Sequence, residues 1–442
     1  MGADAANGPV VVIELGLDRG EPETYHRPGR RTTPLWLAPA LLAVLSLFAV
    51  TGSAPPPGPP MEVLLRVAIG PGDPFVTHGD QLIVQAAGEL ASFDLRTGTQ
   101  QWRVEQRIPV SRLRTGGGGV VLLRPWTPVR VEPGTTAVAL STGRVRWRND
   151  RNVLQFADGG GADTLMVAVD GVRSASGAGR RVERAVEVVD PESGAARWRV
   201  WVPSTAVLLG LPGHEPDEAR IVLVHADAIA RLYDVASGAL LAERRVPAAD
   251  YAPENTVPAG GMMLLRHPGP SGIELSAYDA RTLRPRWTVP APTAREVMAC
   301  GGLACLIGLD GVRVIDPATG DVLWHRPGWR SVEPAGAHLV AYADGPAAPS
   351  ALVDPATGAV LVDLTGWRTV SGSAAAGRLL VVRDGGPEAR SMVAVAAPGM
   401  SRPHPLADLP SGTGDCQAVP ARLICRSVYG EVVVWAYRAP AG

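Results

Sequence analysis

The sequence contains no lysine: all 42 basic residues are arginine. That excludes Schiff-base chemistry and a phosphate-binding P-loop, since both need a lysine amine. Cysteine is scarce, with four in 442 residues, no two adjacent and none spaced as CxxC. Charge of one sign is lacking too. A net charge of -1 gives no global electrostatic reason to expect nucleic acid as a partner. There is no G-x-S-x-G, no HExxH and no EF-hand loop, so the common hydrolase and calcium signatures are missing. The eight histidines are scattered; His78, His225 and His325 fall near strand ends, where a solvated or hydrogen-bonded ring is expected. What is abundant is turn chemistry: Gly 51 and Pro 41, against a hydrophobic fraction of 46%. Many short strands joined by tight turns produce that balance.

One long apolar run stands apart. Leu35 to Val50 reads LWLAPALLAVLSLFAV without a charge, preceded by Arg27, Arg30 and Arg31 and followed by SAPPPGPP. A segment over 34–52 approaches the ~20 residues that cross ~30 Å of hydrocarbon. The arginines direct the preceding tail to the cytoplasm and everything after residue 52 outward. A cleaved signal peptide is the rival reading, because Gly52, Ser53 and Ala54 are small, but Pro55 disfavours cleavage there. The expected organisation is therefore a cytoplasmic tail over 1–33, a transmembrane helix over 34–52, a Pro-rich linker over 53–60 and an extracytoplasmic domain over 61–442. The membrane is thus an expected partner. In the tail, Val10 to Leu15 is an apolar patch that suits strand addition to a cytoplasmic protein.

From residue 75 onward a pattern recurs. Asp94, Gly98 and Trp102 share one register with Asp190, Gly194 and Trp198, and with Asp316, Gly320 and Trp324. Four copies keep two of the three residues. Asp354 and Gly358 are followed by Val362 in the tryptophan position, and Asp234 and Gly238 by Ala242. Asp279 and Trp287 have Leu283 for the glycine; Gly143 and Trp147 have Ala139 for the aspartate. Counting Ala139, the positions fall 37 to 51 residues apart, in the range of four-stranded propeller blades. In each copy a β-branched strand leads into a turn. The aspartate accepts from turn amides, the glycine supplies the left-handed residue, and the next strand carries the tryptophan. One copy cannot bury its apolar face, so copies must stack around an axis.

These strings resemble the tryptophan-docking repeat of PQQ-like (quinoprotein-type) β-propellers, and the resemblance covers nearly the whole of 61–442. It implies an all-β propeller of eight blades. A literal count of hairpins reaches nine, if Glu62 to Ala68 supplies the outer strand of a last unit that holds Arg422 to Arg426 and Glu431 to Tyr437. The expectation is eight, within seven to nine. Dehydrogenases of the family hold their quinone with a vicinal cysteine pair and use an acidic base beside calcium. Neither feature can be matched here, so no cofactor and no catalytic residue is expected.

The cysteines fall in two local pairs, Cys300 with Cys305 and Cys416 with Cys425, which read as structural disulfides outside the membrane. Zinc is the alternative, without a CxxC or a histidine pair to favour it. Two glycine-rich stretches, Asp158 to Asp163 and Gly116 to Gly119, read as hairpin loops. The widest gap in the spacing contains Ser174 to Arg184, an arginine-bearing loop suited to a partner or to solvent. The expected function is a non-enzymatic scaffold that binds a protein or an envelope ligand. The alternatives are a quinoprotein-type oxidoreductase and a sensor that signals through the tail.

Overall fold

The computed structural model describes residues 39–43, 59–106, 110–125, 134–155, 166–169, 173–174, 182–211, 219–225, 227–252, 254–343, 349–372, 378–383 and 390–438. The chain divides into two units, 1–58 and 59–442. In the first, residues 39–43 are helical and exposed; the tail, the rest of the expected span 34–52 and most of the linker lie outside the described residues. Among the described residues no helix is long and apolar enough to cross a membrane.

In the second unit the described strands form nine antiparallel sheets, eight of four strands and one of five, each built on an up-and-down meander of four. Blade 1 runs from Phe75–His78 through Gln81–Ala86 and Glu89–Asp94 to Gln100–Glu105. Blade 2 spans 110–149, blade 3 152–203, blade 4 207–245, blade 5 256–290, blade 6 294–326, blade 7 329–363 and blade 8 368–409. Blade 9 is built from both ends of the unit. Its inner three strands are Thr413–Val419, Arg422–Ser427 and Glu431–Tyr437, and its outer strand is Met61–Ala68. Blade 3 carries an extra short strand, Arg173–Ser174, paired with Val182 and Glu183.

Nine apolar clusters join the blades pairwise around the ring. Cys305 and Val314 of blade 6, for example, pack with Val332 and Val353 of blade 7. The ring closes where Leu82 and Val84 of blade 1 meet Ile424 and Val434 of blade 9. Each blade is thus covered on both sides, which is why middle strands such as Arg220–Val224 are apolar in succession rather than alternating. Outer strands are open on one edge and alternate, as in Gln100–Glu105. The blade count of eight is corrected to nine. Nine is the literal hairpin count, with Met61–Ala68 closing the last unit as that count requires; eight is only the number implied by the resemblance.

The turns explain the recurrent residues. Asp94 accepts from the amides of Arg96 (2.6 Å) and Thr97 (3.3 Å), and Gly98, at φ +74°, donates back to the Asp94 carbonyl (2.7 Å). Asp190, Asp234, Asp279, Asp316 and Asp354 accept turn amides in the same way. At Asp94, Asp190, Asp279 and Asp354 the carboxyl is held below its ordinary value. Asp94 and Asp354 are lowered first by backbone amides, Asp279 by Arg286, and Asp190 to about 2 by Arg197. A carboxyl whose folded pKa is depressed contributes stability above its unfolded value, and that contribution vanishes as pH falls through the folded value. Urea midpoints should therefore hold down to about pH 4 and fall steadily toward pH 2; a midpoint unchanged at pH 2.5 contradicts this. The turns lie at the surface, with Asp94 itself 8% exposed and Asp190, Asp279 and Asp354 half-buried, so solvent screening keeps each share small and only the sum is measurable.

Each tryptophan docks on the next blade's turn. The indole N–H of Trp102 donates to the Leu140 carbonyl at 2.7 Å, and those of Trp147, Trp198, Trp287 and Trp324 to Pro191, Val235, Pro317 and Pro355 at 2.7–3.0 Å. Each ring lies flush on the next glycine. A Cβ on Gly143, Gly194, Gly238, Gly320 or Gly358 would approach it to between 2.5 and 3.0 Å. Blade 9 does the same with Leu64, against Gly98.

One junction inverts the pair. Blade 4 offers Ala242 in the tryptophan position, and blade 5 receives it with Leu283, fully buried at φ +54° and packed beside Ala242. The leucine fills the volume the indole occupies elsewhere. Leu283→Gly should therefore cost about 3 kcal/mol by leaving a void, and Ala242→Trp about 1–3 kcal/mol by overpacking. The double variant restores the pair found at Trp198 and Gly238 and should recover more than about 1 kcal/mol of the summed loss. Urea denaturation of the four proteins measures this coupling, and strict additivity contradicts it.

Candidate functional site

In a meander blade the inner strands of neighbours run the same way, and Ser371 of blade 8 indeed forms a parallel bridge with Gln417 of blade 9. The Asp–Gly turns therefore share one end of the ring, the turn face. The hairpins between second and third strands emerge at the other end with the blade-to-blade connections, here termed the connection face.

The turn face is occupied by its own docking contacts, and the recurrent Asp, Gly and Trp residues are engaged there. The connection face differs. At the tip between Arg422–Ser427 and Glu431–Tyr437, Val428 and Tyr429 are 78% and 75% exposed, and Leu309 of blade 6 is 70% exposed at the equivalent tip. Beside Val428 a cavity of about 490 Å3 opens between Ile69, Pro71, Gly412 and Arg426. A second cavity, of about 400 Å3, lies among Glu333, Tyr342, Arg368, Val382 and Cys416. The two share the wall Thr413 to Asp415.

The inner strand of blade 8 is only Arg368–Thr369, where its neighbours have seven residues each, Trp329–Ala335 and Thr413–Val419. Arg368 pairs with Val382, and both line the second cavity with Thr369 and Tyr342. The Tyr342 hydroxyl donates to Glu333 Oε2 at 2.7 Å, and burial followed by that carboxylate pushes its pKa up to about 12. It remains a neutral donor at physiological pH.

The shared wall is irregular. The ladder with Arg422–Ser427 slips between Gly414 and Gln417, and Asp415 sits there at φ +47°. Arg426 fastens the wall from behind. It lies 3.7 Å from the Asp415 carboxylate and donates to the carbonyls of Gly70 (2.9 Å), Pro71 (3.2 Å) and Asp73 (2.6 Å), with its guanidinium over the Phe75 ring. One side chain thus joins blade 9 to the connection entering blade 1.

The cysteines form the two disulfides Cys300–Cys305 and Cys416–Cys425. Of the other residues singled out above, Asp158 to Asp163 and most of the 174–184 loop lie outside the described residues. His225 is buried next to Arg231, and burial first, then that arginine, lowers its pKa. His325 Nε2 meets the Asp310 carbonyl at 2.8 Å. Among the described residues no three His, Cys, Asp or Glu side chains converge as a metal site would require. With the cysteines consumed in non-adjacent pairs, no vicinal cysteine pair is present to hold a quinone. The surface at the ring seam was missed in sequence, and its one local signal was the apolar Val428 and Tyr429 inside a turn.

A family model described as "Outer membrane protein assembly factor BamB" matches residues 182–331, from blade 3 into blade 7. Over these residues the chain carries PQQ-like β-propeller repeats. No curated protein matches this PQQ-like propeller. Among solved structures, BamB from Moraxella catarrhalis is 13% identical, with 86% of this chain and 99% of that chain covered at a TM-score of 0.41. The C-terminal WD40 domain of Sif2 is 10% identical over 86% and 99%, with a TM-score of 0.41. The quinohemoprotein alcohol dehydrogenase ADHIIG from Pseudomonas putida HK5 is 11% identical over 87% and 78%, with a TM-score of 0.34. For this PQQ-like propeller the architecture rests on its own sheet topology and pairwise clusters.

Proposed function

We propose that the protein is a non-enzymatic scaffold, anchored by residues 34–52 with its propeller outside the membrane, and that it binds a protein partner on the connection face at the ring seam. The observation that carries this is the placement of Val428, which lines the first cavity, and of Tyr429 next to it in sequence, both more than 70% exposed, with a second cavity across the wall Thr413 to Asp415. Exposed apolar groups next to concave surface are where interface anchors settle. The family model over 182–331 supports the same class, since its description is that of an assembly factor. The anchor is supported by the uncharged run from Leu35 to Val50 and the arginines before it.

A photo-crosslinking residue at position 429, compared with one at Leu241 on the outer rim, tests the surface in native cells. A partner should be captured from 429 and not from 241. Once identified and purified, it should bind the Val428→Asp/Tyr429→Asp variant at least about tenfold more weakly, as loss of two anchors implies. Equal affinity for the variant refutes the surface. Retention in carbonate-washed membranes, lost on removing 34–52, tests the anchor; release of the intact chain refutes it.

A further inference from the structure

The two disulfides tie the same pair of strands in their blades and differ in access. Cys300–Cys305 ties the inner strand of blade 6 to the second, and both residues are enclosed, at 1% and 0% exposure. Cys416–Cys425 ties the same two strands of blade 9. Cys425 is fully buried among Leu380, Val382 and Leu423, whereas Cys416 is only partly covered and lines the cavity of about 400 Å3. One sulfur of this bond therefore faces open space.

We propose that Cys416–Cys425 is a site of thiol–disulfide exchange, open to an external dithiol, and that Cys416 is the sulfur attacked. The incoming thiolate bonds to the Cys416 sulfur as the Cys416–Cys425 bond breaks, and the electron pair leaves on the Cys425 sulfur, which takes up a proton. The second thiolate of the reductant then attacks its own sulfur in the mixed disulfide. Cys416 departs as a thiolate and is protonated, and the reductant leaves as its internal disulfide. Attack on a disulfide requires approach to a sulfur from outside, and access decides which sulfur receives it. Only Cys416 offers that approach.

The bond also holds a particular piece of backbone. Gly414 pairs with Arg426 and Gln417 with Ile424, while Asp415 and Cys416 fall in the slip between them. Within that bulge the disulfide is the covalent tie to the neighbouring strand, and Asp415 is kept in a left-handed conformation beside it. Reduction releases the wall common to both cavities, so the exchange has a structural consequence independent of what docks there.

The folded full chain, exposed to dithiothreitol, quenched with N-ethylmaleimide and mapped by peptide mass spectrometry, tests the proposal. Cys416 and Cys425 should be labelled at least about tenfold faster than Cys300 and Cys305, and glutathione should leave its adduct on Cys416. Equal labelling rates, or an adduct on Cys425, overturn it. Amide exchange at 413–417 should rise at least about tenfold in Cys416→Ser/Cys425→Ser and stay unchanged in Cys300→Ser/Cys305→Ser. Unchanged exchange in the first variant overturns the structural consequence.

Discussion

Replacing residues 61–68 with a glycine–serine stretch of equal length is expected to abolish the single cooperative melting transition. Met61–Ala68 pairs with Glu431–Tyr437 through seven cross-strand positions, from Met61 opposite Tyr437 to Ala68 opposite Glu431. Arg66 adds an ion pair to Glu431 at 2.6 Å, and the Arg438 amide donates to the Pro60 carbonyl at 2.8 Å. Met61 is buried, Leu65 and Val67 pack on the blade 9–blade 1 cluster, and Leu64 rests on Gly98. At about 1–3 kcal/mol for each buried apolar side chain, their loss is on the order of 6 kcal/mol. The whole stability of a folded domain is about 5–15 kcal/mol. The damage extends further, because a three-stranded blade 9 presents the apolar strand Val432 to Trp435 as an open edge, and such edges aggregate. Scanning calorimetry and light scattering read the outcome. A variant that melts within about 2 °C of the parent, soluble and in one step, contradicts closure by this strand; each kcal/mol shifts the midpoint of a large domain by about 2–4 °C.

The second large effect concerns Glu187, in the third strand of blade 3. It is 1% exposed, and its carboxylate is ion-paired with both Arg151 and Arg199. Arg199 is its cross-strand partner on Ala196–Pro203, while Arg151 reaches it from the chain entering the blade. Removing the carboxylate leaves two guanidinium groups facing each other at an enclosed site. Breaking a buried pair costs about 3–5 kcal/mol, and because Arg199 is 41% exposed and can turn toward water, the lower end, about 3 kcal/mol, is expected for Glu187→Ala. Glu187→Gln keeps the shape and one acceptor, so it should cost less. Urea midpoints of the two variants measure the difference. Equal losses would assign the effect to packing rather than to charge, and a loss below about 0.5 kcal/mol would remove Glu187 from the structural account.

The repeat was readable in sequence because the duty of each recurrent residue is local. An aspartate four residues before a glycine makes a turn whatever surrounds it, since the amides it binds lie two and three residues ahead. Leu283 and Ala242 illustrate the limit. Each is a plain departure from the pattern in sequence, and they compensate each other only because blade 5 is packed against blade 4. Glu187 reads as one polar position in the strand Val186 to Val189, and nothing nearby in sequence announces that it is enclosed. The literal hairpin count reaches nine, and eight is preferred only because the resemblance implies it. The turn of blade 8 lost its markers, while the strands Leu379–Arg383 and Ser391–Ala396 kept the apolar faces that make a blade.

By itself the amino-acid sequence determined an all-β propeller of repeated hairpins, with cysteines in local pairs and no lysine chemistry. Turn preference and strand alternation act over a few residues and need no knowledge of neighbours. Tertiary structure alone decided that Arg426 locks the seam of the ring and that two cavities meet at Thr413 to Asp415. Those features join residues more than 300 positions apart, and only closure of the ring brings Gly70 and Arg426 within hydrogen-bonding distance.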